Sequence, residues 1–480
     1  MKVFFVSLGC DKNLVDTEKM LGILSTAGFE MTDDEDEAEA VVVNTCCFIH
    51  DAKQESIETL LEYAQLKTNG KIRLLIAAGC LAQRYKDEII KEIPEVDAVI
   101  GTFACGEIAE VLNKLINKEY KLPVYENDKQ ETRKANVKSD TADIASDTVS
   151  DVNVPVYTSD HGYKQTGRTR VRSSISHYSY LKIAEGCDKH CTYCVIPSIR
   201  GSYRSFDMDD LVAEAEKLAR EGVNELILVA QETTLYGTDI YNRKAIGELI
   251  DKLAAIDGIE WIRLMYCYPE EIGDGLIDSF KHQKKLCRYI DMPIQHICDR
   301  ILKSMGRRTS GAQIEDMIGK LRKEIPDIVI RTSLITGFPG ETDEEHQELL
   351  DFIKRVKLDR VGVFTYSKEE NTPAARMKGQ IPRAVKNRRR KELMLAQQEV
   401  VFEKNRSLIG KKFTVIVDGR IDEPAEDDSY VYVARSYMDA PDIDGSVFVH
   451  SNRDIVSGTL TKVVIEGFNG YDLIGSEVYR

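Results

Sequence analysis

Hydrophobic positions in the first quarter of the chain alternate between short strand-like runs and amphipathic helical segments. The runs are KVFFVSLG, AEAVVVNT, IRLLIAAG and VDAVIGT, and each of the first three precedes a helical segment. Strands that alternate with helices are typical of an open, mostly parallel α/β sheet. We therefore predict an α/β domain over residues 1–125.

This pattern stops between residues 126 and 172. Most of this stretch reads ENDKQETRKANVKSDTADIASDTVSDVN, with no aromatic residue and almost no large apolar ones. Such a composition cannot bury enough surface to order the chain. We expect a flexible linker or insertion here.

Strand and helix patterns return over residues 173–398. Six strand-like runs separated by helical segments predict a partial parallel (β/α)6 barrel, two units short of a closed eightfold barrel. The runs are SYLKIA, ELILVA, WIRLMY, YIDMPI, IVIRTSLI and RVGVFTY.

The last segment, residues 399–480, completes a helix that begins at RAVKNRRRKELMLAQQEVVFEKN and then loses helical periodicity. Short alternating runs such as KKFTVIVDG, YVYVARSY and GTLTKVVIEGF are separated by Gly and Asp turns. This pattern predicts a small all-β barrel.

Composition narrows the classes of protein that remain. The 42% hydrophobic and 30% charged content is that of a globular protein, and no apolar run reaches 18 residues, so we expect a cytoplasmic protein with no membrane span. The net charge of −15 disfavours wholesale nucleic-acid binding but leaves room for a local RNA-binding patch. Eleven cysteines in a reducing compartment indicate metal ligation or chemistry more than disulfides.

Three cysteines lie close together after the first strand of the predicted barrel. In AEGCDKHCTYC the spacing C-x3-C-x2-C places Cys187, Cys191 and Cys194 on one loop at the carboxyl end of that strand, where barrel enzymes have their active sites. A structural zinc ion would need His190 as its fourth ligand, but four ligands within eight residues would strain a tetrahedron. An iron–sulfur cube on three cysteines instead keeps one iron open.

The loop resembles that of the radical S-adenosylmethionine superfamily in its spacing, its place after a first barrel strand, and the aromatic Tyr193 before the last cysteine. The resemblance implies a reduced cluster that binds S-adenosylmethionine and cleaves it to a radical able to abstract hydrogen from carbon. It also implies that Gln231 and Glu232, in LVAQETTLYG, contact the cofactor's amino group. Gly337 and Gly340, in LITGFPGET, match the segment along its adenine and ribose.

Some of these residues have simpler interpretations. Glycine after a strand is often only part of a turn. Arg200, in PSIRG, suits a carboxylate ligand and an ordinary surface salt bridge equally well.

A second set of cysteines follows successive strands of the first predicted domain: Cys10 after FFVSLG, Cys46 after AVVVNT and Cys80 after LLIAAG. Loops after parallel strands lie at one edge of a sheet, so residues distant in sequence converge there. Free cysteines are also commonly buried for packing alone. Three at equivalent positions favour a metal site.

The segments SLGCDKNLVDTEKM, NTCCFI and AAGCLAQRY resemble the N-terminal domain of the methylthiotransferases, and the C-terminal barrel resembles their TRAM domain. The resemblance covers the chain apart from the linker, which is longer than the family requires. It implies an auxiliary four-iron cluster on Cys10, Cys46 and Cys80, with Cys47 only a neighbour. The remaining cysteines match no ligand position and are expected to be structural: Cys105, Cys267, Cys287 and Cys298.

Membership of that family would imply two four-iron four-sulfur (4Fe–4S) clusters and S-adenosylmethionine as cofactors. The barrel cluster generates the radical. The auxiliary cluster supplies sulfur for a methylthio group, whose methyl comes from a second S-adenosylmethionine. An electron donor such as flavodoxin or ferredoxin is expected as a partner.

Two substrate branches exist in the family, tRNA adenosine and the β-carbon of an aspartate in ribosomal protein S-twelve (uS12). CDKNLVD resembles the ribosomal-protein branch, as does YIDMPIQHICDRILKSMGR with its Gln295–His296 pair. From Gly410 to Arg480 there are 13 acidic and 7 basic residues, with acids clustered in IDEPAEDD and DAPDID. Such a surface repels phosphate and attracts a basic protein. The sequence therefore favours uS12, with tRNA as the alternative.

A non-enzymatic alternative also remains, an iron–sulfur or zinc protein that binds RNA through its terminal barrel. The basic stretch RAVKNRRRKEL would suit it, although a charge run on a helix is usually a solvated face. Two cysteine trios without fourth ligands argue against a purely structural role, because structural sites are closed.

Overall fold

The computed structural model describes residues 1–117, 154–158, 169–174, 176–421 and 430–478. Contacts divide the chain into two compact units. The smaller contains Met1–Gly9, Asp16–Cys47 and Asp51–Arg170, and the larger contains Cys10–Val15, Phe48–His50 and Val171–Arg480.

A parallel sheet forms the centre of the smaller unit. Its strands are β1 (Lys2–Ser7), β2 (Glu30–Met31), β3 (Ala40–Thr45), β4 (Leu74–Ala78), β5 (Ala98–Ile100) and β6 (Val156–Tyr157), in the order β2-β1-β3-β4-β5-β6. The helices along this part of the chain are α1 (Asp11–Thr26), α2 (His50–Thr68), α3 (Gly79–Arg84), α4 (Lys86–Glu92) and α5 (Ile108–Ile116). The α/β domain predicted from the sequence is confirmed.

Burial explains why the central strands read as unbroken apolar runs. Every residue of β3 and β4 is buried, as expected for parallel strands covered on both faces. The edge strand β6 lies inside the segment predicted to be a linker and pairs with β5. The rest of that prediction falls largely on residues 118–153 and 159–168, which lie outside the described residues.

The larger unit contains a second six-stranded parallel sheet and a short antiparallel pair. Its strands are β7 (Tyr178–Lys182), β8 (Ala184–Glu185), β9 (Arg204–Ser205), β10 (Glu225–Val229), β11 (Trp261–Leu264), β12 (Leu286–Asp291), β13 (Val329–Thr336) and β14 (Arg360–Thr365). The sheet order is β14-β13-β12-β11-β10-β7, with β8 paired to β9. All five pairings within the six-stranded sheet are parallel, which confirms the predicted partial barrel.

Helices follow the strands of this sheet in turn. They are α6 (Ile196–Arg200), α7 (Met208–Arg220), α8 (Ile246–Ala254), α9 (Asp274–His282), α10 (Asp299–Ser304), α11 (Gly311–Glu324), α12 (Asp343–Val356) and α13 (Arg383–Leu408). Local sequence sets several starts: Ser310 with Gln313, and Thr342 with Glu345, form capping boxes at α11 and α12.

The predicted C-terminal barrel is also confirmed. Its strands are β15 (Lys412–Arg420), β16 (Tyr430–Ser436), β17 (Val447–Ser451), β18 (Leu460–Asn469) and β19 (Asp472–Glu477). They close in the order β15-β16-β17-β19-β18. One hydrophobic cluster joins its interior to the base of the six-stranded sheet, where Ile227, Tyr289 and Val329 meet Val415 and Tyr432.

Two acids of the segment DAPDID are buried and do not belong to the acidic surface predicted from the sequence. Asp439 is 1% exposed and pairs with Arg360 at 2.5 Å, and the side chain of Asp444, 3% exposed, lies 3.6 Å from Arg331. Asp442 is exposed but accepts a hydrogen bond from a tyrosine of β7. The prediction is therefore wrong for these buried acids, which neutralise arginines of the six-stranded sheet. Most of the other segment, IDEPAEDD, lies outside the described residues.

Among the helices that the structure describes, none combines the length and apolar character needed to cross a membrane.

Candidate active site

Cys187, Cys191 and Cys194 lie on the loop that follows β8, at the carboxyl end of the six-stranded sheet. Among the backbone hydrogen bonds of this loop, Cys187 N donates to Gly201 O at 3.0 Å, and Cys194 N donates to Cys191 O at 3.1 Å. Burial raises the pKa of Cys187 to about 11 and that of Cys194 to about 12. Ionisation of these thiols must therefore accompany metal binding.

The three thiols of this loop are the candidate ligands of the predicted iron–sulfur cluster. They interact electrostatically with one another. Zinc needs four ligand atoms within about 2.3 Å. In an iron–sulfur cube each thiolate binds its own iron, so the ligands stand farther apart. His190, the fourth ligand of the zinc alternative, is exposed.

A buried chain of polar side chains begins beside this loop. Glu185 pairs with Arg200 at 2.9 Å and with a buried lysine of β7. Its other oxygen accepts a hydrogen bond from Gln231 Nε2 at 3.0 Å. Arg200 Nη2 also donates to Asn13 Oδ1 at 3.1 Å, and Asn13 belongs to the larger unit. Arg200 is thus a buried link between protein groups rather than a surface salt bridge.

The carboxyl end of β10 presents two buried acceptors. Oε1 of Gln231 and Oε2 of Glu232 have no hydrogen-bond partner among the described residues. Burial raises the pKa of Glu232 to about 7, although Thr234 donates to its other oxygen. A buried acceptor without a donor costs about 1–3 kcal/mol. This pair therefore suits a ligand that brings donors and positive charge, such as an ammonium group.

Tyr193 and the glycine-rich turn after β13 come together. Tyr193 packs against the hydrophobic cluster that contains Phe338, which lies between Gly337 and Gly340. The two glycines have φ angles of 73° and 78°, which other residues rarely adopt. The structure thus joins two of the predicted cofactor-contacting elements in one place.

Glu341 fixes this turn. Its Oε2 accepts hydrogen bonds from the backbone N–H groups of Gly337 at 2.6 Å and Phe338 at 3.1 Å, and its Oε1 lies 2.9 Å from Arg389 of α13. Glu341 and Arg389 are each 3% exposed. Neither residue was predicted from the sequence. Glu341 could have been suspected from its place in the segment LITGFPGET. The sequence around Arg389 does not indicate that it pairs with Glu341.

The basic run of α13 is largely used within the molecule. Lys386 donates to the carbonyl of Tyr366 at 2.7 Å, and Arg390 donates to the carbonyl of Val363 at 3.0 Å. With the buried Arg389, these are three of the six basic residues in RAVKNRRRKEL. The basic run is therefore not simply a solvent-exposed helix face. These three side chains are engaged or buried within the protein and are not available to bind phosphate.

In the smaller unit, Cys46 and Cys80 follow the neighbouring strands β3 and β4. Both are buried, with exposed fractions of 6% and 7%. Gly79 lets the two loops approach, because a Cβ there would lie 2.7 Å from the carbonyl oxygen of Thr45 and its φ is 88°. The sheet thus places Cys46 and Cys80 at the ends of adjacent strands, as predicted.

Cys47 and Cys10 have different environments. Cys47 is fully buried, and its thiol interacts electrostatically with those of Cys80 and Cys46. Burial raises the pKa of Cys47 to about 12. Cys10 is exposed and groups with the larger unit.

The four cysteines expected to be structural are all buried. Cys105 lies in the core of the smaller unit, and Cys287 and Cys298 lie in hydrophobic clusters of the larger. The sulfur of Cys267 is 3.6 Å from the hydroxyl of Thr233.

Gln295 and His296 follow β12 at the same end of the sheet. Gln295 has a φ of 71°, uncommon for a residue with a side chain. His296 is fully buried, and its Nδ1 accepts a hydrogen bond from the backbone N–H of Cys298 at 3.0 Å. Burial lowers the pKa of His296 to about 3, so its ring is neutral.

Three family models match the chain in succession. Residues 2–101 match the uncharacterized protein family UPF0004, residues 181–353 match the Radical SAM superfamily, and residues 409–478 match the TRAM domain. These ranges correspond to the three folded regions described above.

Full-length relatives are similar to the whole chain. The ribosomal protein uS12 methylthiotransferase RimO of Lachnoclostridium phytofermentans is 52% identical over 476 residues, covering 99% of this chain and 100% of the relative. The protein of the same name from Acetivibrio thermocellus is 47% identical, covering 99% of this chain and 98% of the relative.

Among solved structures, the radical S-adenosylmethionine methyltransferase TsrM from Kitasatospora setae matches with a TM-score of 0.53. It is 17% identical, and the match covers 78% of this chain and 76% of TsrM, which supports the fold alone. The extent of identity to the full-length relatives decides the family. The chain belongs to the RimO family of ribosomal protein uS12 methylthiotransferases, within the radical SAM superfamily.

Proposed function

We propose that this protein replaces a hydrogen on the β-carbon of an aspartate in ribosomal protein uS12 with a methylthio group. The observation that carries the proposal is full-length identity of 52% to a relative named for this activity. The geometry supports it, because three buried or half-buried thiols share one end of the sheet with acceptors suited to an ammonium group.

The cofactors proposed are two 4Fe–4S clusters and S-adenosylmethionine. When bound, a reduced cluster supplies the electron that cleaves S-adenosylmethionine, and the auxiliary cluster supplies sulfur. Cys187, Cys191 and Cys194 hold the first cluster, and three cysteine ligands leave its fourth iron open to S-adenosylmethionine. Cys10, Cys46 and Cys80 hold the second.

The chain's own groups then bind and orient the cofactor. Gln231 and Glu232 accept hydrogen bonds from its amino group, since each has a buried oxygen with no partner among the described residues. Tyr193 and the turn from Gly337 to Gly340 line its nucleoside, and Glu341 holds the turn's N–H groups in place. Burial of these groups excludes water from the reacting atoms.

Iron analysis tests the two sites. Anaerobically reconstituted protein should contain about eight irons per chain, four for each cluster. Changing Cys187, Cys191 and Cys194 to Ala should halve the iron and abolish cleavage of S-adenosylmethionine. Changing Cys10, Cys46 and Cys80 to Ala should halve the iron but preserve cleavage. A full complement of iron in the second variant would refute the auxiliary site.

Single variants separate the two adjacent cysteines after β3. Side chains of consecutive residues tend to point to opposite sides of the backbone, so we expect one of the pair to be the ligand. Cys46→Ala should lose the auxiliary cluster, and Cys47→Ala should keep it. Loss of this iron in Cys47→Ala and its retention in Cys46→Ala would identify Cys47 as the ligand instead.

Mass spectrometry of uS12 from cells with and without this gene tests the substrate. We expect the methylthio modification only when the gene is present, and restoration by the wild-type gene but not by Cys187→Ala. Unmodified uS12 in both strains would refute the assignment. A low-potential donor of the flavodoxin or ferredoxin class is the proposed source of electrons.

A further inference from the structure

Arg307 lies against the loop that carries Cys187, Cys191 and Cys194. It sits in the turn between α10 and α11 and is 8% exposed. Its Nη2 donates to the carbonyl of Pro293 at 2.8 Å, and its guanidinium carbon lies 4.3 Å from the ring centroid of Tyr268. These two contacts fix the guanidinium in one orientation.

In that orientation the charge faces the cysteine loop. Nη1 of Arg307 lies 4.0 Å from Sγ of Cys191. The thiol of Cys194 and the ring of Tyr193 also interact electrostatically with Arg307. Nε of Arg307 is buried and has no hydrogen-bond partner among the described residues. One donor of this guanidinium is therefore still unused inside the protein.

The neighbouring charges make Arg307 distinctive. Lys189, also on the loop, is neutralised by Glu271 at 2.6 Å and Glu270 at 3.4 Å. Across the described residues, no carboxylate lies within 4.0 Å of the guanidinium of Arg307, although Glu270 interacts with it at longer range. At the other end of the loop, Cys187 interacts electrostatically with two acids, Glu232 and Asp188, as well as with the thiol of Cys191.

We propose that Arg307 is a redox-tuning residue that raises the reduction potential of the cluster held by Cys187, Cys191 and Cys194. The inference rests on the proposed function, because it requires that cluster. One electron from the external low-potential donor adds negative charge to the cluster and its thiolates. A buried cation close to Cys191 stabilises that charge strongly, because the local dielectric is low. Net charge and hydrogen bonds near sulfur are established determinants of such potentials.

The test is a redox titration of the full-length reconstituted protein, followed by electron paramagnetic resonance. The signal that changes on adding S-adenosylmethionine identifies the cluster that binds this cofactor. In Arg307→Gln the equilibrium constant for one-electron reduction should fall about tenfold, which is a shift of about 59 mV to lower potential. Arg307→Lys should recover part of that shift, because it keeps the charge. Iron content should equal that of the wild type.

Arg308→Gln is the matched control. It removes the same charge from the adjacent residue, which is exposed, so solvent and salt screen its effect. It should leave the potential unchanged. Arg307→Met serves as a second charge-removing variant that keeps apolar contact with Tyr268, in case Arg307→Gln loads iron poorly.

A wild-type potential in a fully loaded Arg307→Gln or Arg307→Met protein would overturn the inference, as would an equal shift in Arg308→Gln. Failure of the proposed function would look different. The wild-type protein itself would then lack an iron–sulfur signal that responds to S-adenosylmethionine.

Discussion

The two ends of strand β10 carry buried glutamates in opposite electrostatic environments. Glu225 begins the strand and Glu232 follows its end, and both are fully buried. Burial alone would raise the pKa of Glu225, but the guanidiniums of Arg435 at 2.8 Å and Arg263 at 2.9 Å lower it. The ammonium group of Lys189 attracts Glu232 but is paired with Glu271 at 2.6 Å, and burial still raises the pKa of Glu232 to about 7.

The same contrast extends across the sheet. Near the start of β13, Arg331 pairs at 2.6 Å with Asp291, the last residue of β12, and Asp444 of the terminal barrel lies 3.6 Å from Arg331. At the carboxyl end, acceptors of Gln231 and Glu232 are left without donors in the described structure. Buried charge is structural where the protein supplies the counter-charge, and functional where a ligand must supply it.

The largest effect is expected at the amino end. Arg435→Met removes a guanidinium shared by Glu225 and Asp418 and leaves buried carboxylates undercompensated. We expect the free energy of unfolding to fall by about 3–5 kcal/mol, measured by denaturant titration. Because the pKa of Glu225 is lowered from 4.5, this stabilisation is present above about pH 4.5 and is lost as the pH falls further.

The control is Arg243→Ala, which breaks an ion pair whose side chains are 56% and 41% exposed. We expect no measurable change in stability, because solvent screens such pairs. Equal losses in the two variants would remove the distinction between the ends of the sheet.

At the carboxyl end, Glu232→Gln should change the pH dependence of cofactor binding. An ammonium group needs the ionised carboxylate, so the Kd of wild-type protein for S-adenosylmethionine should rise about tenfold per pH unit below about pH 7. Glu232→Gln should bind more weakly at pH 8 and lack this slope, by calorimetry. Glu216→Gln, at an exposed glutamate of α7, should keep the slope.

The raised pKa of Glu232 should also make the stability of the ligand-free protein depend on pH. Folded protein holds a proton on Glu232 up to about pH 7, whereas the unfolded chain releases it near pH 4.5. Stabilisation by the protonated carboxyl is therefore complete below pH 4.5 and lost as the pH rises through 7. Relative to Glu232→Gln, wild-type protein should lose stability between pH 5 and pH 8. A constant difference would mean that Glu232 titrates normally.

A smaller effect is expected at the glycine-rich turn. Glu341→Gln weakens the contact with Arg389 and the acceptor for the N–H groups of Gly337 and Phe338. Loss of part of a charged hydrogen bond should raise the Kd for S-adenosylmethionine about tenfold. Iron content should not change. Glu344→Gln, an exposed neighbour on α12, should bind as wild type does. Unaltered affinity in Glu341→Gln would separate this turn from the cofactor.

The smallest effect concerns the terminal barrel. Asp442 is exposed, so Asp442→Asn should change the free energy of unfolding by no more than about 0.5 kcal/mol. It should also leave uS12 binding unchanged at any salt concentration. Asp444→Asn should destabilise the protein clearly, because its carboxylate meets Arg331 and Tyr289 in a buried site. Weaker uS12 binding in Asp442→Asn would restore the docking role predicted from the sequence.

The sequence predicted what depends on local pattern. Fully apolar runs such as β3 and β4, and the alternation of strands with helices, were sufficient for the two parallel sheets. The three cysteines of one loop were likewise found, because their ligand spacing lies within eight residues.

Partners supplied by distant segments could not be predicted. The sequence pattern predicts that Asp439 and Asp444 are exposed. In the structure, Asp439 pairs with Arg360 and Asp444 lies against Arg331. Arg307 belongs to no recognisable sequence motif. Its proposed role follows from its distance to Cys191, which only the structure shows. A charge in a sequence does not reveal its counter-charge when the two lie on different elements.

The most direct test of the account is methylthio transfer in vitro. Reconstituted, reduced protein is incubated with S-adenosylmethionine and either isolated uS12 or bulk tRNA, and both are analysed by mass spectrometry. The account predicts that uS12 gains one methylthio group in place of a β-hydrogen of an aspartate, and that Cys187→Ala abolishes the gain. A methylthio group on tRNA with none on uS12 would contradict it.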